Sequence, residues 1–225
     1  KDIIPEIKSV KEKMKLFTAS VLNGNHRGFK GDKITDVVNI GIGGSDLGPS
    51  MVVESLSHYK TDLNTYFISN VDGDHLNEVL SKVNPETTIF IIVSKTFTTI
   101  ETLTNANSVR SWFLKSASEN DISKHFIAVS SNVEKVIEYG ISSENIFPMW
   151  DWVGGRFSLW SSVGLSISLS IGFEKYLELL EGARNMDLHF RNNEFSENIP
   201  ILMACLSLWY NNFFNYQTHA IIPYS

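Results

Sequence analysis

Five consecutive apolar residues, Ile-Phe-Ile-Ile-Val at positions 89–93, place the strongest constraint on how this chain can fold. A strand with one face in water alternates apolar and polar residues, whereas an unbroken apolar run needs cover on both faces. Such a strand is typical of a parallel sheet with helices packed on each side. We therefore expect a buried parallel sheet at the centre of the protein.

Strand-like and helix-like segments alternate along most of the chain and are joined by short loops. Strands are predicted at 37–42, 64–69, 88–94, 126–130 and 145–148. Helices are predicted at 3–23 and, between the strands, at 46–59, 73–83, 99–117 and 132–139. This alternation predicts an α/β fold, a three-layer α/β/α sandwich with a five-stranded parallel sheet and further flanking helices.

The last third of the chain is predicted to be mainly helical. A buried helix capped by Ser158 is expected at 159–171, followed by an amphipathic helix at 174–193 and an almost entirely apolar one at 200–214. The segment from His219 has the pattern of a strand that begins a further unit. We expect a piece of a longer protein, divided into an N-terminal helix and loop (1–33), the α/β domain (34–150), helices packing on it (151–217) and the start of a truncated second domain (218–225).

Composition excludes several classes of protein. The formal net charge of -6 argues against a nucleic-acid binder, which would normally show a basic face. The single cysteine, Cys205, allows no internal disulfide, fits a reducing cytoplasmic compartment and is expected to be a buried structural thiol. Six scattered histidines lack metal-ligand spacing, and the longest uncharged apolar run, 199–210, is too short to span a bilayer. Neither a metal nor a membrane is expected as a partner.

A glycine-rich turn follows the first predicted strand. Gly41, Gly43 and Gly44 permit positive φ and leave room where a side chain would stand. Ser45 and Asp46 can cap the next helix, whose free N–H groups would suit a phosphate or another small anion. The alternative is a tight strand–helix turn that binds nothing, since such turns commonly carry a glycine for steric reasons.

Two familiar phosphate-binding motifs fail at this turn. The dinucleotide fingerprint G-x-G-x-x-G has Asp46 in place of its last glycine. The P-loop motif needs a lysine where Pro49 stands. The turn is therefore interpreted as an anion site without a nucleotide signature, which disfavours a nicotinamide-dependent oxidoreductase.

A second polar cluster follows the third predicted strand and includes Ser94, Lys95, Thr96 and Thr99. Hydroxyl groups can donate to phosphate oxygens, the lysine supplies a point charge, and another helix start supplies free N–H groups. The alternative is an ordinary helix cap with surface hydroxyls. Because the carboxyl ends of parallel strands share one edge of a sheet, two such clusters together favour anion binding.

The segment 147–158 is unlike an ordinary linker. Trp150 and Trp152 are expected to fix it by burial, and a Gly-Gly pair permits a sharp turn that aims Arg156. The alternative for this arginine is a structural ion pair with Asp151.

Three segments, 40–49, 94–102 and 150–160, strongly resemble the glucose-6-phosphate isomerase (phosphoglucose isomerase) family, and so do 182–190 and 218–224. The resemblance covers essentially the whole chain. It implies that the family's N-terminal segment is not part of this chain. It implies a sugar-isomerase (SIS) fold for residues 34–150.

The resemblance also implies roles for particular residues. Gly44 and Ser45 would lie at the substrate, the phosphate would be held by Ser94, Lys95, Thr96 and Thr99, and Arg156 would stabilise an enediolate near the C1–C2 oxygens. It further implies a hexose phosphate as ligand, no cofactor, no metal, a cytoplasmic role in glycolysis and gluconeogenesis, and a homodimer in the full-length protein.

The sequence departs from the family pattern in one respect that matters for catalysis. The family's general base is a glutamate in a Q-G-x-x-x-E-S type motif, and no such motif occurs in this sequence. The histidine and lysine of ring opening belong to later parts of the family sequence. We therefore expect this chain to be inactive alone. The competing hypothesis is a non-catalytic SIS module that senses a sugar phosphate, although such a sensor would have no evident use for Arg156.

Overall fold

The computed structural model describes residues 2–222. The backbone separates into two compact units, Lys1–Tyr176 and Leu177–Ser225, and each is described by itself. The five strands are β1 (Asp36–Ile40), β2 (Asn64–Ile68), β3 (Thr88–Val93), β4 (Phe126–Ser130) and β5 (Ile146–Pro148). The helices are α1 (Ile4–Leu22), α2 (Leu47–Ser55), α3 (Gly73–Lys82), α4 (Ile100–Phe113), α5 (Ile122–His125), α6 (Val133–Glu138), α7 (Leu165–Ile171), α8 (Phe173–Asn192) and α9 (Ile199–Phe213).

The strands form a single parallel sheet in the order β2-β1-β3-β4-β5. Every residue of β1, β3 and β4 is buried, whereas β2 at one edge is largely half-buried. The predicted five-stranded parallel sheet is confirmed, and so is the two-sided burial expected from the apolar run in β3.

Helices cover both faces of this sheet, as predicted for a three-layer α/β/α sandwich. On one face, alternate strand residues such as Val38, Phe90 and Phe126 join a single core with α3, α4, α5 and α6. On the other face α7 packs against β1 and β2, with α1 and α2 packed against α7. A 2.8 Å hydrogen bond between the hydroxyls of Thr18 and Ser168 links α1 to α7 inside this layer.

The strand order creates a crevice beyond the carboxyl ends of β1 and β3. The chain leaves β1 to form β2 on one side and then returns to form β3 on the other. In open α/β sheets, ligands bind beyond the carboxyl ends of the strands where the order reverses in this way. The fold therefore directs attention to the loops that follow β1 and β3.

The helix predicted at 159–171 is wrong in its first half. The chain forms short 3₁₀ turns at Gly155–Trp160 and Ser162–Gly164 before α7 begins, and Ser158 does not cap a helix. The Tyr176 hydroxyl lies 3.1 Å from the carbonyl oxygen of Leu159 and 2.9 Å from that of Ser161, and it donates to them. The Ser161 carbonyl oxygen also accepts from the Gly164 N–H at 3.0 Å, with the three-residue spacing of a 3₁₀ turn. The burial predicted for the remaining half is confirmed, since all seven residues of α7 are buried.

Most other predicted helices differ from the observed ones by only a few residues at their ends. The largest differences are four residues at the C-terminal ends of 46–59 and 99–117, since α2 ends at Ser55, before a separate 3₁₀ turn at Ser57–Tyr59, and α4 ends at Phe113. Helix ends depend on local capping and packing, so small shifts of this kind are expected.

The second unit contains α9 and most of α8. The side chain of Asn198 caps α9 by accepting from the Ile201 N–H at 3.3 Å and donates to the Phe190 carbonyl oxygen at 2.8 Å. Residues 215–222 form no regular element, so the strand expected from His219 is absent over 219–222, and positions 223–225 lie outside the described residues. Cys205 is exposed, so the prediction of a buried thiol is wrong. No helix within residues 2–222 is long and apolar enough to cross a membrane.

Candidate functional site

A pocket of about 170 Å³ lies beyond the carboxyl ends of β1 and β3. Its lining includes five of the residues predicted to bind ligand, namely Gly44, Ser45, Ser94, Lys95 and Thr99. These residues come from two segments about fifty positions apart in the chain. The crevice at the strand-order reversal thus brings the two predicted anion-binding clusters into one pocket.

The glycine turn needs its glycines mainly for space. Only Gly43 has positive φ (+61°) among the three glycines predicted to use it. A Cβ on Gly41 would lie 2.8 Å from the Ser45 Cβ, and one on Gly44 would lie 2.2 Å from the Gly155 carbonyl oxygen. Any side chain at Gly44 would therefore push the turn away from the segment that carries Arg156.

Two buried side chains hold the carbonyl groups of this turn. Asn39, which is fully buried in β1, donates from Nδ2 to the Ser45 carbonyl oxygen at 3.1 Å. Ser158, which is 4% exposed, donates to the Gly44 carbonyl oxygen at 3.0 Å. The turn is therefore held by Asn39 of β1 and by Ser158 of the segment that follows β5.

The helix cap predicted for this turn does not form. Asp46 occupies the N-cap position of α2, but its side chain makes no capping hydrogen bond, because the 3₁₀ turn Gly43–Ser45 runs directly into the helix. The Asp46 carboxyl group is buried, which raises its pKa, while a hydrogen bond with the Ser69 side chain and the charge of His75 oppose that rise. Asp46 therefore ties the turn to the end of β2 and does not cap the helix.

The loop after β3 is held in an unusual backbone conformation. Phe97 has φ of +53° and is 3% exposed, with its ring packed edge-on against Tyr139 at a centroid distance of 5.5 Å. A bulky residue rarely adopts positive φ, and such strain persists only where the surroundings enforce it. The carbonyl oxygen of Lys95 accepts from the Ser130 hydroxyl at 2.9 Å and from the Ser131 hydroxyl at 2.7 Å. The end of β4 therefore fastens this loop.

Two hydroxyls of the second cluster, those of Ser94 and Thr99, line the pocket. Ser94, which is 2% exposed, donates to the Thr99 hydroxyl at 3.2 Å. Thr99 is the N-cap of α4, but its side chain makes no capping bond to the N–H groups of the first turn. A ligand anion in the pocket could accept from these groups.

Thr102, in the first turn of α4, also lines the pocket. Its hydroxyl is buried, with the residue 1% exposed, and has no hydrogen-bond partner within residues 2–222. A buried unpaired hydroxyl is destabilising unless a ligand or water satisfies it. Thr102 is therefore a pocket residue that sequence reasoning missed, although its spacing of three from Thr99 places both on one helix face.

The ammonium group of Lys95 reaches across the pocket to the segment that follows β5. Its Nζ donates to the main-chain carbonyl oxygen of Asp151. Over the described part of the chain no carboxylate forms an ion pair with it, and the residue is half-exposed. Its positive charge is therefore not neutralised by a neighbour.

Thr96 and Arg156 lie outside this pocket. Thr96 is exposed and lines a wider depression of about 490 Å³ together with Ser131 and Asp151. Arg156 is exposed, with its guanidinium 4.9 Å from the Phe157 ring centroid, and among residues 2–222 it makes no ion pair with Asp151. The structural ion pair considered from the sequence is therefore not formed.

The segment 150–158 does not rely on two buried tryptophans, so that part of the prediction is wrong. Trp152 is 61% exposed and stacks on the half-buried Trp150 with a ring-centroid distance of 5.4 Å. Trp150 Nε1 donates to Glu6 Oε2 at 3.1 Å. The segment is instead anchored by this contact, by Ser158 and by the carbonyl that accepts from Lys95.

Comparison with known proteins identifies the family of this chain. The family model described as phosphoglucose isomerase matches residues 1–225. The chain belongs to the phosphoglucose isomerase family. A curated glucose-6-phosphate isomerase from Christiangramia forsetii (strain DSM 17595 / CGMCC 1.15422 / KT0803) is 59% identical over all of this chain, which spans 41% of that relative's length.

Solved structures show the same architecture. A glucose-6-phosphate isomerase from Chlamydia trachomatis D/UW-3/Cx is 31% identical with a TM-score of 0.80, over 93% of this chain and 38% of that one. A hypothetical protein from Thermus thermophilus, 24% identical with a TM-score of 0.69, covers 91% of this chain and 45% of its own, and shows the fold alone. The sheet and its helices therefore match a sugar-isomerase fold.

The pocket of this family member is built from hydroxyl groups, main-chain groups and one lysine. Within residues 2–222 no three His, Cys, Asp or Glu side chains are grouped so that they could hold a metal ion. Hydroxyl groups, main-chain N–H groups and a lysine are hydrogen-bond donors of the kind that can contact an anion.

Proposed function

We propose that this chain is the sugar-phosphate-binding part of a glucose-6-phosphate isomerase, which interconverts glucose 6-phosphate and fructose 6-phosphate in glycolysis and gluconeogenesis. One observation carries the proposal: Ser45 after β1 and the Ser94–Thr99 loop after β3 line the same pocket, with the unneutralised charge of Lys95 beside them. A small, hydroxyl-rich pocket with one cation suits a phosphoryl group.

The phosphoryl group of the sugar is assigned to the Ser94 side of the pocket. Lys95 supplies the charge, the hydroxyls of Ser94 and Thr99 donate, and Thr102 gains the partner that it lacks within the described residues. Thr96, on the neighbouring depression, contributes at the rim of the same loop. Contacts to the phosphate are remote from the reacting carbons and serve to fix the sugar's position.

Arg156 is assigned to the reacting end of the sugar. In an aldose–ketose isomerisation a base removes the proton from C2 of the open-chain aldose, and the electron pair passes into an enediolate. The proton of the C2 hydroxyl passes to the C1 oxygen, and the protonated base returns its proton to C1, which gives the ketose, so atoms and charge balance without an oxidant. A preorganised guanidinium stabilises the oxyanion by on the order of a few kcal/mol. Gly155 lines the pocket, which supports a place for Arg156 at its mouth.

The general base is assigned to polypeptide outside this chain, because the Q-G-x-x-x-E-S type motif does not occur in its sequence. General acid–base catalysis contributes typically about 10²–10⁴-fold. We therefore infer that the 225-residue chain alone has no significant turnover. The full-length enzyme is proposed to be a cytoplasmic homodimer that needs no cofactor or metal.

The test is an isomerase assay on the full-length protein that contains this chain, with EDTA present. We expect turnover of glucose 6-phosphate, together with calorimetric binding of that compound and none of unphosphorylated glucose at the same concentration. Binding without turnover would point to a sugar-phosphate sensor and contradict the proposal. Equally tight binding of glucose would contradict the assignment of the phosphoryl group to this pocket.

A further inference from the structure

The loop that follows β3, residues 94–99, holds a strained residue near its centre. Phe97 has φ of +53°, and only 3% of the residue is exposed. A bulky residue rarely adopts this left-handed conformation, and the strain persists only where neighbouring atoms enforce it. Because Ser94, Lys95 and Thr99 of the same loop line the pocket, the atoms that enforce the strain also shape the pocket.

The two capping residues of the short helix α6 both contact this loop. At the N-cap, Asn132 accepts from the Lys135 N–H at 3.2 Å and donates from Nδ2 to the Thr96 carbonyl oxygen at 3.3 Å. At the C-cap, the Tyr139 ring packs edge-on against Phe97, with a centroid distance of 5.5 Å and an interplanar angle of 76°. Such edge-to-face packing is favourable beyond the area that it buries. The caps of α6 therefore hold the main chain at Thr96 and the side chain at the next position.

The Tyr139 ring also packs against α4, the helix into which the loop leads. The guanidinium carbon of Arg110 lies 5.4 Å from the ring centroid, within the range of a cation–π contact. Arg110 is held in turn by an ion pair with Glu119. The Tyr139 hydroxyl is buried and has no hydrogen-bond partner within residues 2–222. The ring of Tyr139, and not its hydroxyl, therefore makes the contact that reaches the loop.

We propose that Tyr139 is a positioning residue for the pocket: its ring keeps Phe97 at positive φ and so holds the hydroxyl-rich loop in place before a ligand enters. A ligand that binds an ordered loop does not have to order it, so preorganisation raises affinity. If only a fraction of the molecules held the loop in this form, the apparent dissociation constant would rise by the inverse of that fraction. The proposal rests on the phosphate role proposed for the pocket and adds the residue that keeps the pocket formed.

The test compares two substitutions of Tyr139 in the full-length protein that contains this chain. Tyr139→Leu removes the ring, whereas Tyr139→Phe keeps the ring and removes only the hydroxyl, which has no partner among the described residues. The matched control is Trp112→Leu, which removes another half-buried ring of the same core, packed edge-on against Phe90 at 6.2 Å. Two quantities are measured: amide hydrogen exchange over residues 94–99 without ligand, by peptide mass spectrometry, and calorimetric binding of inorganic phosphate.

We expect residues 94–99 of Tyr139→Leu to exchange about 10-fold faster than in the unmodified protein, and inorganic phosphate to bind about 10-fold more weakly. Tyr139→Phe should match the unmodified protein in both measurements, because it keeps the ring. Trp112→Leu should lower the free energy of unfolding without changing loop exchange or phosphate binding by more than about twofold. Unchanged loop exchange in Tyr139→Leu, or equal changes in Trp112→Leu, would overturn the proposal.

Phe97→Leu removes the same ring contact from the loop side, and it tests the proposal even where Tyr139→Leu does not fold. The double variant should bind phosphate no more weakly than the weaker single variant, because both substitutions remove one shared contact. Losses that multiply in the double variant would show that the two rings act separately and would contradict the proposal. Absence of phosphate binding by the unmodified protein would contradict the function proposed for the pocket, and loop exchange alone would then decide the role of Tyr139.

Discussion

The side-chain hydroxyl of Ser158 donates a 3.0 Å hydrogen bond to the main-chain carbonyl oxygen of Gly44, 114 positions earlier in the sequence. The contact holds the segment that carries Arg156 against the glycine turn. Gly44 permits the approach because its missing Cβ would lie 2.2 Å from the Gly155 carbonyl oxygen. The position of either segment therefore depends on the other.

Replacing Gly44 by alanine is expected to separate these two segments. A Cβ 2.2 Å from a backbone oxygen cannot be accommodated without a backbone shift. Such overpacking costs typically about 1–3 kcal/mol of stability. Gly44→Ala should lower the free energy of unfolding by this amount and raise the KM for the sugar phosphate in the full-length enzyme. Thermal unfolding and steady-state kinetics measure both.

Gly73→Ala is the matched control, because φ there is not positive and no atom lies within 4 Å of the added Cβ. It should leave both stability and KM essentially unchanged. A Gly44→Ala enzyme that behaves like this control would show that the close contact has no effect on the site.

Replacing Lys95 by alanine is expected to weaken phosphate binding. A hydrogen bond to a charged group is worth about 1.5–3 kcal/mol, so dissociation constants should rise roughly 10- to 100-fold. Because the lost contact is to the phosphoryl group, inorganic phosphate and hexose 6-phosphate should be affected alike, and calorimetry on the full-length protein measures both.

Lys115→Ala removes the same charge from an exposed position just beyond α4 and should change binding less than twofold. An equal loss in the two variants would mean that net charge, and not the pocket lysine, governs affinity.

Replacing Arg156 by alanine should lower kcat more than it raises KM. An interaction made mainly in the transition state has this signature, and the loss of one preorganised donor costs on the order of 10²–10³ in kcat. Arg156→Lys keeps the charge and should restore part of the rate. Steady-state kinetics on the full-length enzyme separate the two parameters.

Arg184→Ala, which removes an exposed arginine ion-paired with Glu181, serves as the control and should leave kcat unchanged. If Arg156→Ala altered KM alone, the arginine would bind the ground state and would not stabilise the enediolate.

Protonation of His125 is expected to destabilise the fold below neutral pH. Its Nε2 accepts from the Phe29 N–H at 2.9 Å and its Nδ1 donates to the Thr88 carbonyl oxygen at 2.6 Å, so the buried ring is neutral. Burial lowers the pKa of His125 below its ordinary value of 6.5, against a smaller opposing effect of the Thr88 hydrogen bond. The unfolded state therefore takes up the proton first as pH falls. The stabilisation is complete above pH 6.5 and is lost as pH falls through the folded-state pKa.

Denaturant unfolding at pH values between 8 and 5 measures this effect. The His125→Asn variant keeps a donor for Thr88 and loses the titrating group, so its unfolding free energy should vary less with pH than that of the unmodified protein. His58→Asn, at an exposed position, should follow the unmodified protein. Parallel pH profiles for all three proteins would contradict the role assigned to His125.

Much of the sandwich could be predicted because its elements depend on patterns of neighbouring residues. The apolar run at 89–93 predicted a strand buried on both faces, and every residue of β3 is buried. The glycine-rich turn and the hydroxyl-rich cluster after β3 were recognised as places where a strand meets a helix. Because the carboxyl ends of parallel strands lie on the same side of a sheet, the sequence could also predict that Ser45 and Lys95 line one pocket.

The errors arose where a distant residue decides the local structure. Serine is a common helix cap, yet the Ser158 hydroxyl donates to the Gly44 carbonyl oxygen, and the Tyr176 hydroxyl packs against the carbonyl oxygens of Leu159 and Ser161. Thr102 is an ordinary helix residue in the sequence, and only the packing shows its hydroxyl buried against the pocket without a partner among the described residues.

Local residue patterns were enough to predict most elements and the parallel sheet, because hydrophobic periodicity and the conformational freedom of glycine act over a few residues. Packing between distant segments sets which hydroxyls enter the pocket and why Gly44 admits no side chain. These features depend on atoms brought together from distant positions, and no local pattern records that proximity.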